Sequence, residues 1–372
     1  MKTRSSPGEK IKIYFPQLDS IRGMSFIAIF LFHTLRINYN YFFLGDFIEY
    51  LFNNLPLAID VFFILSSFLL TYLALNEYKK RGNFSFRNYF TRRVLRIWPL
   101  YYFILMLAFI LFPFAANLLH YKMTLPEPVY YIFFIANFYT MNHVFFLRLL
   151  WTISVEEQFY LLWGFCLRFF HKNLRTIIVL LFVTSIAFSL YAEFNGIKYY
   201  FNTLTYLFDF ASGALAALLI FRNNKIVTQF GNLSKAGSIA FYSYLPLHFI
   251  LFYFLNDHST GISNDLVGLL CRYVFILYIA LFIMEQMINV SRSSILEKNR
   301  FLIFTGKISY GLYCFHGITI MSITLLIEHF NVDIKNWIVV LIYFTLNYVI
   351  ATVSYFYLES PFLKLKEKWR RI

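Results

Sequence analysis

The chain has 372 residues, of which 59% are hydrophobic, 22% aromatic and only 14% charged, and its mean hydropathy is +0.61. That is too apolar for the surface of a soluble domain, so the chain is read as an integral membrane protein. The formal charge of +14 would elsewhere point to nucleic acid. Here lysine and arginine have a topological use, and neither a zinc-finger nor a helix-turn-helix pattern occurs, so nucleic acid is excluded as a partner.

At roughly 20 apolar residues per crossing, this length allows ten to twelve helices and leaves no room for a sizeable extramembrane domain. Residues 1–12 are polar and basic and the apolar stretch that follows has no small-residue cleavage site, which predicts a retained cytoplasmic N-terminal segment over 1–17. Apolar runs then predict spans at 20–40, 56–75, 98–117, 151–170, 176–193, 200–221, 236–255, 266–288, 305–328 and 337–358. One further apolar piece, Pro128 to Asn142, is short for a crossing. If it does not cross, 27 of the 33 lysines and arginines collect on one face against six on the other; if it does, the split is 16 against 17. The charge bias that orients membrane proteins therefore predicts an all-α bundle of about ten transmembrane helices, both termini cytoplasmic, with 128–142 re-entrant or interfacial. The transmembrane domain is expected over 18–362 and a basic cytoplasmic tail over 363–372. Cys166, Cys271 and Cys314 each lie within apolar runs, which suits core packing better than a disulfide or metal framework.

A polar side chain at membrane depth is costly and therefore a candidate for function, with a satisfied structural pair as the bland alternative. In the first span, Asp19, Arg22 and His33 stand out. At 100° per residue, Arg22 and His33 fall within about 20° of each other and roughly 16 Å apart along the axis. The third span is preceded by a basic run in which Arg93 and Arg96 share one helical face beside Arg92. Paired guanidiniums there suit a phosphorylated ligand, although topology and anionic lipid headgroups also explain basic residues on this side. Glu156 and Glu157 open the fourth span. Adjacent carboxylates lie about 100° apart, so one is expected to face the bundle and the other to approach water. A carboxylate beside a histidine would orient it for general-base work, and an outer-rim cap is the alternative. Asp60 at the start of helix two, His316 in helix nine and Glu359 after helix ten complete the set, with Glu359 read as a partner for inner-face arginines. No metal-binding, Walker A or dinucleotide motif occurs in a suitable context.

Six segments, in order, resemble the membrane-bound acyltransferase 3 family, which includes bacterial O-acetyltransferases of surface polysaccharides. They are QLDSIRGMSFIAIFLFHT with Arg22 and His33, IDVFFILSSFLLT with Asp60, FTRRVLRIWPLYY with Arg93 and Arg96, LWTISVEEQFYLLW with Glu156, GKISYGLYCFHG with His316, and YLESPF with Glu359. The resemblance implies a ten-helix enzyme of the bacterial cytoplasmic membrane. It would take an acyl group, usually acetyl, from cytoplasmic acyl-CoA and deliver it to a hydroxyl of a cell-surface or lipid-linked glycan. Acyl-CoA would be a donor substrate, with no tightly bound cofactor and no metal. Arg22, Arg92, Arg93 and Arg96 would hold the donor. His33 would act as general base or transient acyl carrier, Glu156 ahead of Glu157 would orient it, and Asp60 would assist. Ser67 departs from the family pattern, which commonly has glycine there. No appended esterase-like domain is expected either, so the chain is expected to pass acyl groups directly to an acceptor or to a separate partner. The rival reading is a proton-coupled transporter, since an Arg, His and Glu path through a bundle also suits a carrier; a catalytically silent protein of the same fold is the third.

Overall fold

Apolar runs of this length become helices because, in hydrocarbon, every backbone N–H and C=O must be satisfied within its own segment. The computed structural model describes residues 14–38, 45–118, 120–121, 124–139, 144–257, 262–288 and 294–369. Residues 1–13 of the N-terminal segment, 140–142 of the apolar piece and 370–372 of the tail lie outside the described residues. The described residues contain helices and no strands.

Ten long helices follow the ten expected spans: α1 (Pro16–Asn38), α2 (Ala58–Arg81), α3 (Phe86–Met106), α4 (Trp151–Phe169) and α5 (Leu174–Phe194). The second half comprises α6 (Leu207–Phe221), α7 (Lys235–Asp257), α8 (Ile262–Ile288), α9 (Ser309–His329) and α10 (Asn336–Ser354). Among the described residues, nine helical stretches are long and apolar enough to cross a membrane. The stretch missing from those nine is α4, whose 19 residues include Glu156, Glu157 and Arg168.

Several boundaries differ from expectation. Residues 203–206 form a 3-10 turn ahead of α6, and 305–307 belong to a short helix, Arg300–Lys307, separated from α9 at Ile308. Helices α3 and α10 run on through π-helical turns, Leu107–Leu111 and Tyr355–Glu359, into Phe112–Leu118 and Ser360–Glu367. The limit expected at 362 therefore falls inside a helix. That last helix lies along the basic start of α3, where Arg92 Nη1 donates to the Trp369 carbonyl at 3.2 Å and Arg87 stands 5.6 Å from the Trp369 ring centre.

The turn from α2 to α3 is set by local chemistry. Gly82 takes a left-handed conformation (φ 70°) and its N–H closes on the Tyr78 carbonyl, the usual way to end a helix. Ser85 then caps α3 by accepting from the Asn88 N–H, and the Ser85 N–H donates to Glu77.

Small residues let helices approach closely where lipid provides no hydrophobic drive. A Cβ on Gly306 would lie 1.7 Å from the Asp19 carbonyl oxygen, so helix 300–307 rests directly on the α1 backbone. A Cβ on Gly213 would lie 2.2 Å from the Ile64 carbonyl oxygen, which brings α6 against α2. The serine that departs from the family pattern, Ser67, is fully buried at this crossing and bonds back to Ile64 of its own helix. The close approach is made by the glycine on the facing helix.

The piece from Pro128 forms no long helix. A short helix, Pro128–Ile132, and a 3-10 turn, Ala136–Phe138, are joined by irregular backbone, and carbonyls at the end of that helix and in the join are answered by side chains. Tyr101 donates to Tyr131 O at 2.8 Å, Tyr102 to Ile132 O at 3.0 Å, and Gln158 to Phe134 O at 2.8 Å. Irregular backbone at membrane depth is tolerated when protein satisfies it in this way.

Candidate active site

Helices α1, α2, α3, α4 and α9 converge on a cavity of about 90 Å³. Its polar lining consists of Arg22, Ser66, Arg93, Arg96, Thr152, Glu156, Tyr160, Ser309, Tyr310 and Tyr313. Arg93 and Arg96 reach it together because positions i and i+3 share a helical face. Arg22 Nη1 lies 3.3 Å from Asp19 Oδ1, one turn earlier on α1. Arg93 stacks over the Tyr160 ring, 5.6 Å from its centre, and its buried Nε has no hydrogen-bond partner. No ion pair involves Arg93 or Arg96 among the described residues. Glu156 Oε1 accepts from Ser66 Oγ at 2.7 Å, and Ser66 in turn accepts from the Tyr160 hydroxyl at 3.1 Å. Three guanidiniums thus line the cavity with a single lining carboxylate, Glu156, among the described residues, and Asp19 lies against Arg22 from outside the lining. That excess of fixed positive charge and unused N–H groups is suited to an anion.

The neighbours Glu156, Glu157 and Gln158 diverge around α4, as a 100° rotation per residue requires. Glu156 enters the cavity. Glu157 does not approach water as expected: it is 3% exposed, and its Oε2 accepts from Trp98 Nε1 at 3.1 Å. Gln158 faces the irregular segment, donating to Phe134 O and to Asn137 Oδ1, each at 2.8 Å. The three polar residues therefore serve the cavity, the α3–α4 contact and the anchoring of residues 128–139.

His33 does not line the cavity. It lies beyond Tyr313, and the side chain it meets at Nδ1 is His316 Nε2, 3.1 Å away, with the two rings nearly parallel at 25°. Phe145 stands edge-on to His33 at 5.6 Å between ring centres, and Phe26 edge-on to His316 at 6.3 Å. Gly317 makes room for this arrangement, since a Cβ there would lie 2.8 Å from Phe146 Cα. Tyr313 joins the pair to the cavity: its carbonyl faces His316 Nδ1, and its hydroxyl accepts from Thr152 and donates to Leu149 O, both at 2.7 Å.

Three expected site residues are placed elsewhere. Asp60 Oδ1 lies 3.0 Å from Arg272 Nη2, which is also 2.7 Å from Asp209 Oδ2. The Arg272 guanidinium packs over the Tyr206 ring at 4.8 Å. Arg92 turns from the cavity toward Glu77 Oε2 at 3.6 Å. Glu359 is buried against Gly311 with its Oε1 unpaired, and the cation whose charge acts on it is Arg96, an inner-face arginine as expected, though not at ion-pair distance. Outside the spans, burial and the nearby Asp19 carboxylate raise the Tyr14 phenol above its usual range.

The sequence pattern does not single out Ser66, Tyr160, Tyr313, Asp209 or Arg272. For the last two a signal is present, since a charged residue within an apolar run is a candidate by rule. For Ser66 and the tyrosines, in a chain with 29 tyrosines, only spatial neighbours distinguish them.

The family model described as an acyltransferase domain (acyltransferase 3) matches residues 15–356. A Staphylococcus aureus (strain COL) protein provisionally named as an O-acetyltransferase is 25% identical over 98% of this chain and 59% of its own length. "O-acetyltransferase OatA" of Staphylococcus aureus (strain NCTC 8325 / PS 47) is 26% identical over 94% of this chain and 57% of its own length. The chain thus spans under three-fifths of the length of these curated relatives. No solved structure gives a significant match.

Proposed function

This chain belongs to the acyltransferase 3 domain family, and from that premise we propose that it is a multi-pass membrane O-acyltransferase. It moves an acyl group, acetyl by preference, from cytoplasmic acyl-CoA to a hydroxyl of a cell-surface or lipid-linked glycan. It does so in the bacterial cytoplasmic membrane, with ten crossings and both termini inside. The observation that carries this reading is the cavity lined by Arg22, Arg93 and Arg96, in which Glu156 is the one carboxylate of the lining among the described residues. Guanidiniums hold phosphate oxygens bidentately, so the phosphorylated end of the donor binds there. The flexible arm of the donor then carries its thioester past Tyr313 toward His33.

In direct transfer, His33 takes the proton of the acceptor hydroxyl as its oxygen attacks the thioester carbonyl. The carbon–sulfur bond breaks, an ester forms, and the departing thiolate recovers the proton from His33. In the covalent variant the imidazole attacks the thioester carbonyl and the carbon–sulfur bond breaks to release the thiolate; the acceptor hydroxyl then attacks the acyl-imidazole, the carbon–nitrogen bond breaks, and the hydroxyl proton passes to the thiolate. Glu156, held by Ser66, balances part of the arginine charge within the cavity. Asp60 and Arg92 are assigned to the scaffold, on the strength of their ion pairs with Arg272 and Glu77.

The test is binding of acetyl-CoA to the protein in nanodiscs, comparing the parent with the Arg93→Ala, Arg96→Ala double variant. Micromolar binding that is lost in the double variant supports the donor site. Absence of binding by folded parent protein, for acetyl-CoA and longer acyl-CoAs alike, overturns it.

A further inference from the structure

We propose that His316 is the positioning residue that sets the tautomer and orientation of His33, the task that the motif resemblance would give to Glu156. The inference rests on the proposed acyltransfer and concerns how its base is held. The chain of hydrogen bonds permits one assignment for two neutral imidazoles. The Tyr313 carbonyl can only accept, so His316 Nδ1 carries a proton and donates to it. A neutral His316 then has its lone pair on Nε2, which faces His33 Nδ1 at 3.1 Å. His33 Nδ1 must therefore carry the proton of that bond, and the His33 lone pair falls on Nε2.

A neutral His316 follows from its surroundings, and a neutral His33 is what its proposed work as a base requires. His316 is fully buried against Phe26 and the Tyr313 ring, with no carboxylate at ion-pair distance among the described residues. An isolated charge is disfavoured at such a site. The tautomer is thus dictated by a backbone carbonyl one helical turn away on α9 and transmitted through His316 to α1. When His33 Nε2 takes a proton, its Nδ1–H continues to donate to His316 Nε2, so the developing imidazolium keeps an acceptor throughout the reaction. In most histidine bases a carboxylate fills this place; here a second neutral histidine does, and it adds no negative charge near an anionic donor. Glu156 remains committed to Ser66 and the arginine cavity.

The experiment compares acyl transfer by the parent, His33→Ala, His316→Leu and His316→Gln in nanodiscs, with donor binding and thermal melting measured for each. Leucine fills the space without an acceptor, whereas the glutamine carbonyl can reach the position of Nε2. His316→Leu is expected to lose at least about 100-fold in kcat with little change in KM for the donor. His316→Gln is expected to recover all but about tenfold. Wild-type kcat in a folded His316→Leu protein, with His33→Ala inactive, overturns the role of His316 and leaves the acyltransferase reading intact. A parent that transfers no acyl group refutes the acyltransferase reading instead. Nitrogen-15 histidine NMR of the parent reads the tautomers without any substitution: His33 protonated at Nδ1 and bare at Nε2 supports the assignment, and the reverse overturns it whether or not the leucine variant folds.

Discussion

Two groups of buried charge adjoin different faces of α2, and they are resolved differently. On one side Arg272 is clasped by Asp60 and Asp209 at 3.0 and 2.7 Å and covered by the Tyr206 ring, which closes the group. On the other, Arg93 and Arg96 border a cavity without an ion pair among the described residues, and Arg22 has a longer contact of 3.3 Å with Asp19. Desolvated charges must be compensated by something. Where the compensation is internal, the group joins helices and is finished. Where cation is in excess around space, the compensation is left to a ligand. Sequence motifs do not separate these cases, because Asp60 lies within a family motif as Arg93 does.

Substitutions can break the contrast. The largest effect is expected on the closed side. Arg272→Leu leaves two buried carboxylates facing each other and should lower stability by about 3–5 kcal/mol, read as a fall in melting temperature in detergent. An unchanged melt would show that the triad is not what joins α2, α6 and α8. Next is Gly306→Ala, whose methyl would meet the Asp19 carbonyl oxygen. Overpacking there should cost about 1–3 kcal/mol and displace the turn of α1 that carries Arg22, so donor affinity should fall along with stability.

On the open side, Arg93→Ala with Arg96→Ala should reverse the pattern. Stability should hold, while the Kd for acetyl-CoA rises at least about tenfold, or ~1.4 kcal/mol. Calorimetry and a melting curve on the same sample separate the two effects. A large stability loss with unchanged Kd would erase the distinction between the two groups. The smallest change is expected of Ser66→Ala, which removes the link between Tyr160 and Glu156 and should cost about 1 kcal/mol. Its melt should move less than that of Arg272→Leu.

Much of the candidate site is legible in the amino-acid sequence. The i, i+3 spacing of Arg93 and Arg96 and the presence of Arg22 in an apolar run place three cavity residues correctly on helix faces. The divergence of Glu156 from Glu157 also follows from the 100° step. The destination of Glu157 does not, since a side chain leaving the axis can meet water, lipid or another helix, and Trp98 on α3 decides which. Asp60 and Arg92 group with the site in sequence because motif membership carries no information about direction. Their partners, Arg272 and Glu77, settle it only in three dimensions.

By itself the sequence determined that this is a helical membrane protein, where its long helices run, and which charged residues stand at membrane depth. Those properties are local: hydrocarbon enforces internal hydrogen bonding over each apolar run and penalises each buried charge one residue at a time. Only the tertiary structure decided which of those residues meet. His33 and His316 are 283 positions apart, and Asp60 and Arg272 are 212 apart. Their encounters follow from how helices pack at Gly306, Gly213 and Gly317, where missing side chains let backbones close to contact. Periodicity specifies the face a side chain occupies; the packing of one helix on another specifies what that face touches.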